Sequence, residues 1–212
     1  MKIYYDSTNC TNDISERMYI KLPDIKSQND EWSCGPNSAA RVLKYYGHNV
    51  DYEAVRDKAD QQCMLPDSFS YPTPSWSNPF ATSRVNIRAG TTPNELCQVM
   101  RNWDTEVQLK QKSNFQTLID LLRQSKPSIV LLRTGSINGY IFGTWPELHW
   151  VVVVGINESQ EMVYYTDTNS QTYQMVYFDF MNKWNWSIGD GLASEVLWKL
   201  EVKTGTIIWI DR

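Results

Sequence analysis

Apolar and polar positions follow two different periods along this chain, helical over about the first 126 residues and strand-like from there to the end. Residues 39–46 read as a helix stopped by Gly47, with Cys34 at its start and Pro36 in its first turn, where a missing N–H costs nothing. Residues 51–57 form a short amphipathic pattern. Thr92, Pro93 and Glu95 then supply an N-cap, a first-turn proline and an early acid for a helix through Trp103. Leu118, Leu121 and Leu122 fall on one side of a further helix over 115–124. Between these patterns Pro66, Pro72, Pro74 and Pro79 predict a long irregular loop over residues 61–90, of the length usually reserved for function.

From Pro127 the texture becomes β-branched and aromatic, predicting strands at 129–132, 149–156, 162–168, 173–178, 196–202 and 206–210, with a short helix over 179–186. The expected fold class is α+β, N-terminal helices packed on a C-terminal antiparallel sheet. No repeat or linker divides the 212 residues, which are enough to bury one core, so a single domain is expected, helical over about 1–126 and sheet over about 127–212.

Composition narrows the function. A net charge of −4 with scattered Lys and Arg argues against a nucleic-acid partner. No apolar run approaches a membrane span, and the first residues lack the apolar core of a signal peptide, so the expectation is a cytoplasmic protein or one exported without a signal peptide. Cys10, Cys34, Cys63 and Cys97 have no metal-ligand spacing, so neither a metal nor a cofactor is expected, and reduced thiols are the default. Cys97 sits in a helical pattern as a small core residue.

Cys34 differs because it opens a helix, where unpaired N–H groups and the dipole favour a thiolate. A thiolate nucleophile needs a base, and there are two histidines. His48 follows a helix stop and is expected to be solvated, whereas His149 opens the apolar run 150–156 and is partly shielded. Hairpin arithmetic places position 149 opposite about 167–169. Asp167 and Asn169 share a face there, and either can orient a ring N–H; a carboxylate would also stabilise an imidazolium, which favours Asp167 with Asn169 in reserve.

This order of cysteine, histidine and acid, with Gln28 six positions before Cys34, resembles the papain-like cysteine peptidases. The segments 28–40, 127–132, 148–155 and 165–167 are most similar to the bacteriocin-processing (double-glycine leader) peptidases and their stand-alone bacterial relatives. The resemblance implies Cys34 as nucleophile, His149 as general base and acid, Asp167 as the orienting residue, and a Gln28 amide joining the Cys34 N–H in an oxyanion hole. It also implies a protein or peptide substrate and no cofactor. Two departures stand out: Thr168 follows the aspartate where many relatives have proline, and the membrane segments of the transporter-fused members are missing from these residues.

The same thioester chemistry serves glutamine deamidation or acyl transfer to an amine. A binding module with a vestigial site is the non-enzymatic alternative, with Trp76, Trp145, Trp184 and Trp186 as its aromatic platforms. The aromatic stretch 138–146 is placed to shape a cleft beside His149.

Overall fold

The computed structural model describes residues 17–30, 32–62, 69–75, 78–87, 90–139, 143–187 and 197–212. Cys10 and Cys63 lie outside them, as does the middle of the 138–146 stretch. In chain order the elements are β1 (Arg17–Tyr19), α1 (Cys34–Tyr45), α2 (Tyr52–Gln62), β2 (Phe69–Ser75), β3 (Asn78–Ile87), α3 (Pro93–Met100), β4 (Val107–Lys110), α4 (Phe115–Arg123), β5 (Ser128–Gly139), β6 (Gly143–Asn157), β7 (Met162–Thr166), β8 (Thr172–Val176), α5 (Tyr177–Trp184) and β9 (Ile207–Ile210). Seven strands make one antiparallel sheet in the order β4-β9-β5-β6-β7-β8, with β1 also pairing on β6. The architecture is the expected α+β, although β1 and β4 come from the first 126 residues and neither was foreseen.

The sheet centres on β6 because Trp150, Val151, Val152, Val153, Val154 and Ile156 are all buried. Neighbouring strand residues point to opposite faces, so both faces of β6 are covered. The helices packed against β5 and β6 are α1, α4 and α5. Gly155 lies where β1 crosses: a Cβ there would meet the Met18 carbonyl oxygen at 2.3 Å, and the register of β6 on β7 shifts between Val153 and Gly155. No other side chain fits that approach.

Helix α1 is enclosed from Cys34 to Leu43. It ends where the sequence predicts: Gly47 has φ +93°, with its N–H on Lys44 O and the His48 N–H on Leu43 O, a Schellman stop. The start of α3 is the predicted capping box, Thr92 and Glu95 each bonding the other's backbone N–H.

Two expectations are overturned. Residues 69–75 and 78–87 pair as an antiparallel β2–β3 ribbon rather than forming a loop. Pro72 and Pro74 are two apart, so their missing N–H groups fall on one edge, and in a two-stranded ribbon that edge needs no partner. The expected strand over 196–202 is replaced by a helical turn at 197–199, and Glu201 has φ +54°. Its Val, Leu and Trp pattern is compatible with either period, and the turn residues decide it.

Candidate active site

The turn before α1 is built around Asp30. Its Oδ1 accepts the Trp32 and Ser33 N–H groups at 3.0 and 2.7 Å, and its Oδ2 accepts the Ser33 hydroxyl at 2.7 Å and an Arg56 N–H at 3.3 Å. Burial pushes the Asp30 carboxyl up, but the Ser33 and Trp32 donors and Arg56 outweigh it and hold it below the usual carboxylate range. Tyr52, buried on α2, donates to Asn29 Oδ1 at 2.7 Å, so α2 holds this turn from behind. The chain therefore arrives at Cys34 in a fixed direction, and Cys34 begins the helix with its side chain buried.

Beside it, β6 presents His149. The His149 Nε2 lies 2.7 Å from Asp167 Oδ1, just beyond the end of β7, and each side chain is 27% exposed. Asp167 is thus the residue that meets the ring. Asn169 turns away, donating to the Tyr173 hydroxyl at 2.7 Å and accepting the Gln171 N–H at 3.0 Å. The Asp167 carboxylate also takes the Thr168 N–H at 2.6 Å. With Nε2 engaged, Nδ1 is the ring nitrogen left over, and Cys34 is the other neighbour that acts on the ring.

Burial alone would push the His149 pKa down. The hydrogen bonds to Asp167 and Cys34, with their charges, overcome it and raise the pKa to about 10, favouring an imidazolium. Asp167 is shifted up by burial and, more strongly, down by His149 and Thr168, so it stays ionised below the usual range.

Trp150 ties the two segments together. Its indole N–H donates to Thr91 O at 3.0 Å, and its carbonyl accepts the Ser38 hydroxyl from α1 at 3.2 Å. A Cβ on Gly35 would meet the indole Cδ1 at 3.1 Å and Nε1 at 3.3 Å, so the glycine after Cys34 makes room for the tryptophan after His149.

Gln28 is brought to the same place through its backbone, its N–H donating to Thr168 O at 3.2 Å. Its side-chain amide donates to the Asp30 carbonyl and, at 3.5 Å, to Asp30 Oδ1, and among the described residues its buried Oε1 has no partner.

His48 does not behave as expected. Instead of being solvated, its Nε2 lies 2.9 Å from Oδ2 of Asp104, a fully buried carboxylate that also pairs with Arg212 at 2.9 Å. The aromatic platforms are corrected as well: Trp184 and Trp186 are buried, the former donating to Thr206 O. The side chains of Trp76 and Trp145 are outside the described residues. Cys97 is buried on α3 as expected, its thiol pushed up by burial. Among the described residues no cluster of His, Cys, Asp or Glu is arranged to hold a metal, and no helix is long and apolar enough to cross a membrane.

Sequence reasoning missed Asp30, Arg41, Arg56 and the bracing role of Trp150. For Asp30 a signal existed, an acid three residues before a serine at a helix entrance. Arg41 and Arg56 act through contacts distant in sequence and left no local trace.

The model for the Peptidase_C39 like family matches residues 23–189. Among solved structures, the chain is similar to a C39-like peptidase from Bacillus anthracis, at 15% identity and TM-score 0.61, covering 93% of this chain and 98% of that one. It is also similar to the peptidase domain of Streptococcus ComA, a bifunctional ABC transporter of a quorum-sensing pathway, at 18% identity and TM-score 0.51, covering 92% and 100%. No curated protein matches the chain.

Proposed function

The chain belongs to the Peptidase_C39 like family, and on that premise we propose that it is a thiol peptidase cleaving a peptide or isopeptide bond with Cys34, His149 and Asp167. The observation that carries the proposal is the 2.7 Å contact of His149 with Asp167, on a ring whose other partner is Cys34.

In this reading the Cys34 thiolate attacks the carbonyl carbon, and the oxyanion forms against the helix-start N–H of Cys34 and the side-chain amide of Gln28, which turns from its two Asp30 acceptors to donate. Collapse breaks the C–N bond, and the His149 imidazolium gives its proton to the leaving amine. Water then attacks the thioester while His149 takes a proton from it, releasing the acid and restoring the thiolate. Asp167 holds the ring oriented throughout and stabilises its imidazolium form in the steps where it carries the proton. Replacing Gln28 by alanine is expected to lower kcat on the order of 10²–10³.

The test is incubation of the full chain with a mixed peptide pool, followed by mass spectrometry, in parallel with Cys34→Ala. New peptide termini that vanish in the variant are the expected result. A gain of about one dalton on glutamine, or an amine conjugate, would replace hydrolysis by deamidation or transfer. No Cys34-dependent product of any kind would sink the enzymatic reading.

A further inference from the structure

Arg41 is 1% exposed and lies seven residues after Cys34 on the same helix. A guanidinium in that position is expensive to bury, and an aliphatic side chain like its neighbours Val42 and Leu43 would fill the space without that cost. Its partners explain why it is there. Its Nε–H donates to Asn37 Oδ1 at 3.0 Å, and an Nη2–H group reaches Thr168 O at 3.3 Å and Ser170 Oγ at 3.0 Å.

Thr168 O also accepts the Gln28 N–H, the Ser170 hydroxyl donates to Ile25 O at 3.0 Å, and the Asn37 amide donates to Lys26 O at 3.3 Å. This side chain thus ties the helix of Cys34 directly to the turn that follows Asp167 and, through Asn37, Thr168 and Ser170, to the segment over 25–28. We propose that Arg41 is a positioning residue of this site, its guanidinium fastening the 167–170 turn and the Gln28 segment to the Cys34 helix and placing a fixed positive charge behind Asp167. The inference rests on the catalytic reading above.

The charged groups around this arrangement are few. Asp167 faces His149 on β6 and has Tyr165 as its charged or titratable neighbour on β7. Arg41 feels Asp167 and, from the segment before α1, Asp24. Burial lowers the Arg41 pKa and the two acids raise it, leaving a guanidinium that no ordinary pH neutralises. Lysine can replace the charge but not the fork of donors, and methionine replaces neither.

That difference gives a test that needs no substrate. Iodoacetamide alkylation of Cys34, resolved by cysteine with mass spectrometry, is followed from pH 4 to 8 in the wild type, Arg41→Lys, Arg41→Met and His149→Ala. If Asp167 loses the charge behind it, it protonates at higher pH and releases the imidazolium that supports the thiolate. The rate of Arg41→Met relative to wild type is therefore expected to fall on the order of tenfold between pH 8 and pH 4. For Arg41→Lys the relative rate is lowered by a similar factor at every pH.

A purely structural arginine would give Arg41→Met the same flat ratio, and that result overturns the proposal, as does a sloping ratio in Arg41→Lys. If Arg41→Met does not fold, Arg41→Gln takes its place, and if neither folds the lysine variant is read on its rate, an undiminished Cys34 reactivity overturning the proposal. Indifference of Cys34 to His149→Ala would instead remove the catalytic reading itself.

Discussion

The described residues contain two histidine–aspartate contacts of nearly equal length, and in the proposed reading they serve opposite ends. His149 meets Asp167 at 2.7 Å where β6 passes the start of α1, while His48 meets Asp104 at 2.9 Å beyond the other end of the same helix. What separates them is the remaining company. Asp104 is fully buried and shares its Oδ2 with Arg212, while its Oδ1 accepts the Glu106 N–H at 3.0 Å. That carboxylate fastens a loop, a strand end and a terminal arginine. Asp167 is partly open, and the ring it holds has a cysteine as its other neighbour. A histidine and an acid within bonding distance are therefore a structural clasp by default, and the third group makes chemistry.

The sharpest way to break this contrast is to remove each ring. His149→Ala should lower peptidase kcat/KM by roughly 10³–10⁴ while leaving the fold intact by circular dichroism. His48→Ala should leave kcat/KM within about twofold but cost roughly 1–3 kcal/mol in denaturant unfolding, because Asp104 keeps its burial and loses a partner. Equal activity losses in the two variants would collapse the distinction.

Asp30→Ala comes next. Removing a buried acceptor of two N–H groups and a hydroxyl should cost about 2–3 kcal/mol and lower Cys34 alkylation as the turn loosens. Unchanged stability would mean that water replaces the carboxylate freely.

The pH dependence sharpens the comparison from the other side. His149 binds its proton more tightly in the fold, so its stabilisation is complete below about pH 6.5 and is lost as the pH rises toward about 10. Asp167 has the opposite sign: its contribution is present above its ordinary pKa of 3.8 and is lost as acid protonates it. The wild-type Tm should fall between pH 6.5 and 10 more steeply than that of His149→Ala, measured by calorimetry; parallel curves would contradict the assignment.

The smallest effect belongs to Asn169→Ala, expected within about 0.5 kcal/mol in stability and about twofold in kcat/KM, since its contacts are exposed and local. A large loss of activity would restore Asn169 as the orienting residue.

The contrast also explains what the amino-acid sequence reveals. Helix α1, its glycine stop and the buried β6 are written in local periodicity and turn chemistry, and they are readable. The meeting of 149 with 167 was within reach because a hairpin couples register to loop length. His48 with Asp104 and Arg212, or Arg41 with Thr168, are matters of tertiary packing that no periodicity encodes. The β2–β3 pairing was hidden for a different reason: proline was read as a breaker, which holds for interior strands and not for the free edge of a ribbon.

The pairing of β1 with β6, with Met18 opposite Ile156 and Gly155 bare to admit it, has a consequence for how the protein is born. Cys34 is synthesised before its partners, and His149 and Asp167 follow 115 and 133 residues later (149 − 34 and 167 − 34). At roughly 5–20 residues per second the nascent chain carries its cysteine for about 6–23 s before His149 is made and about 7–27 s before Asp167 is. Strand β1 cannot dock before β6 has been synthesised, so contacts of such long sequence separation close late. The thiol of a growing chain is thus kept apart from its histidine and aspartate until most of the fold is available to confine them.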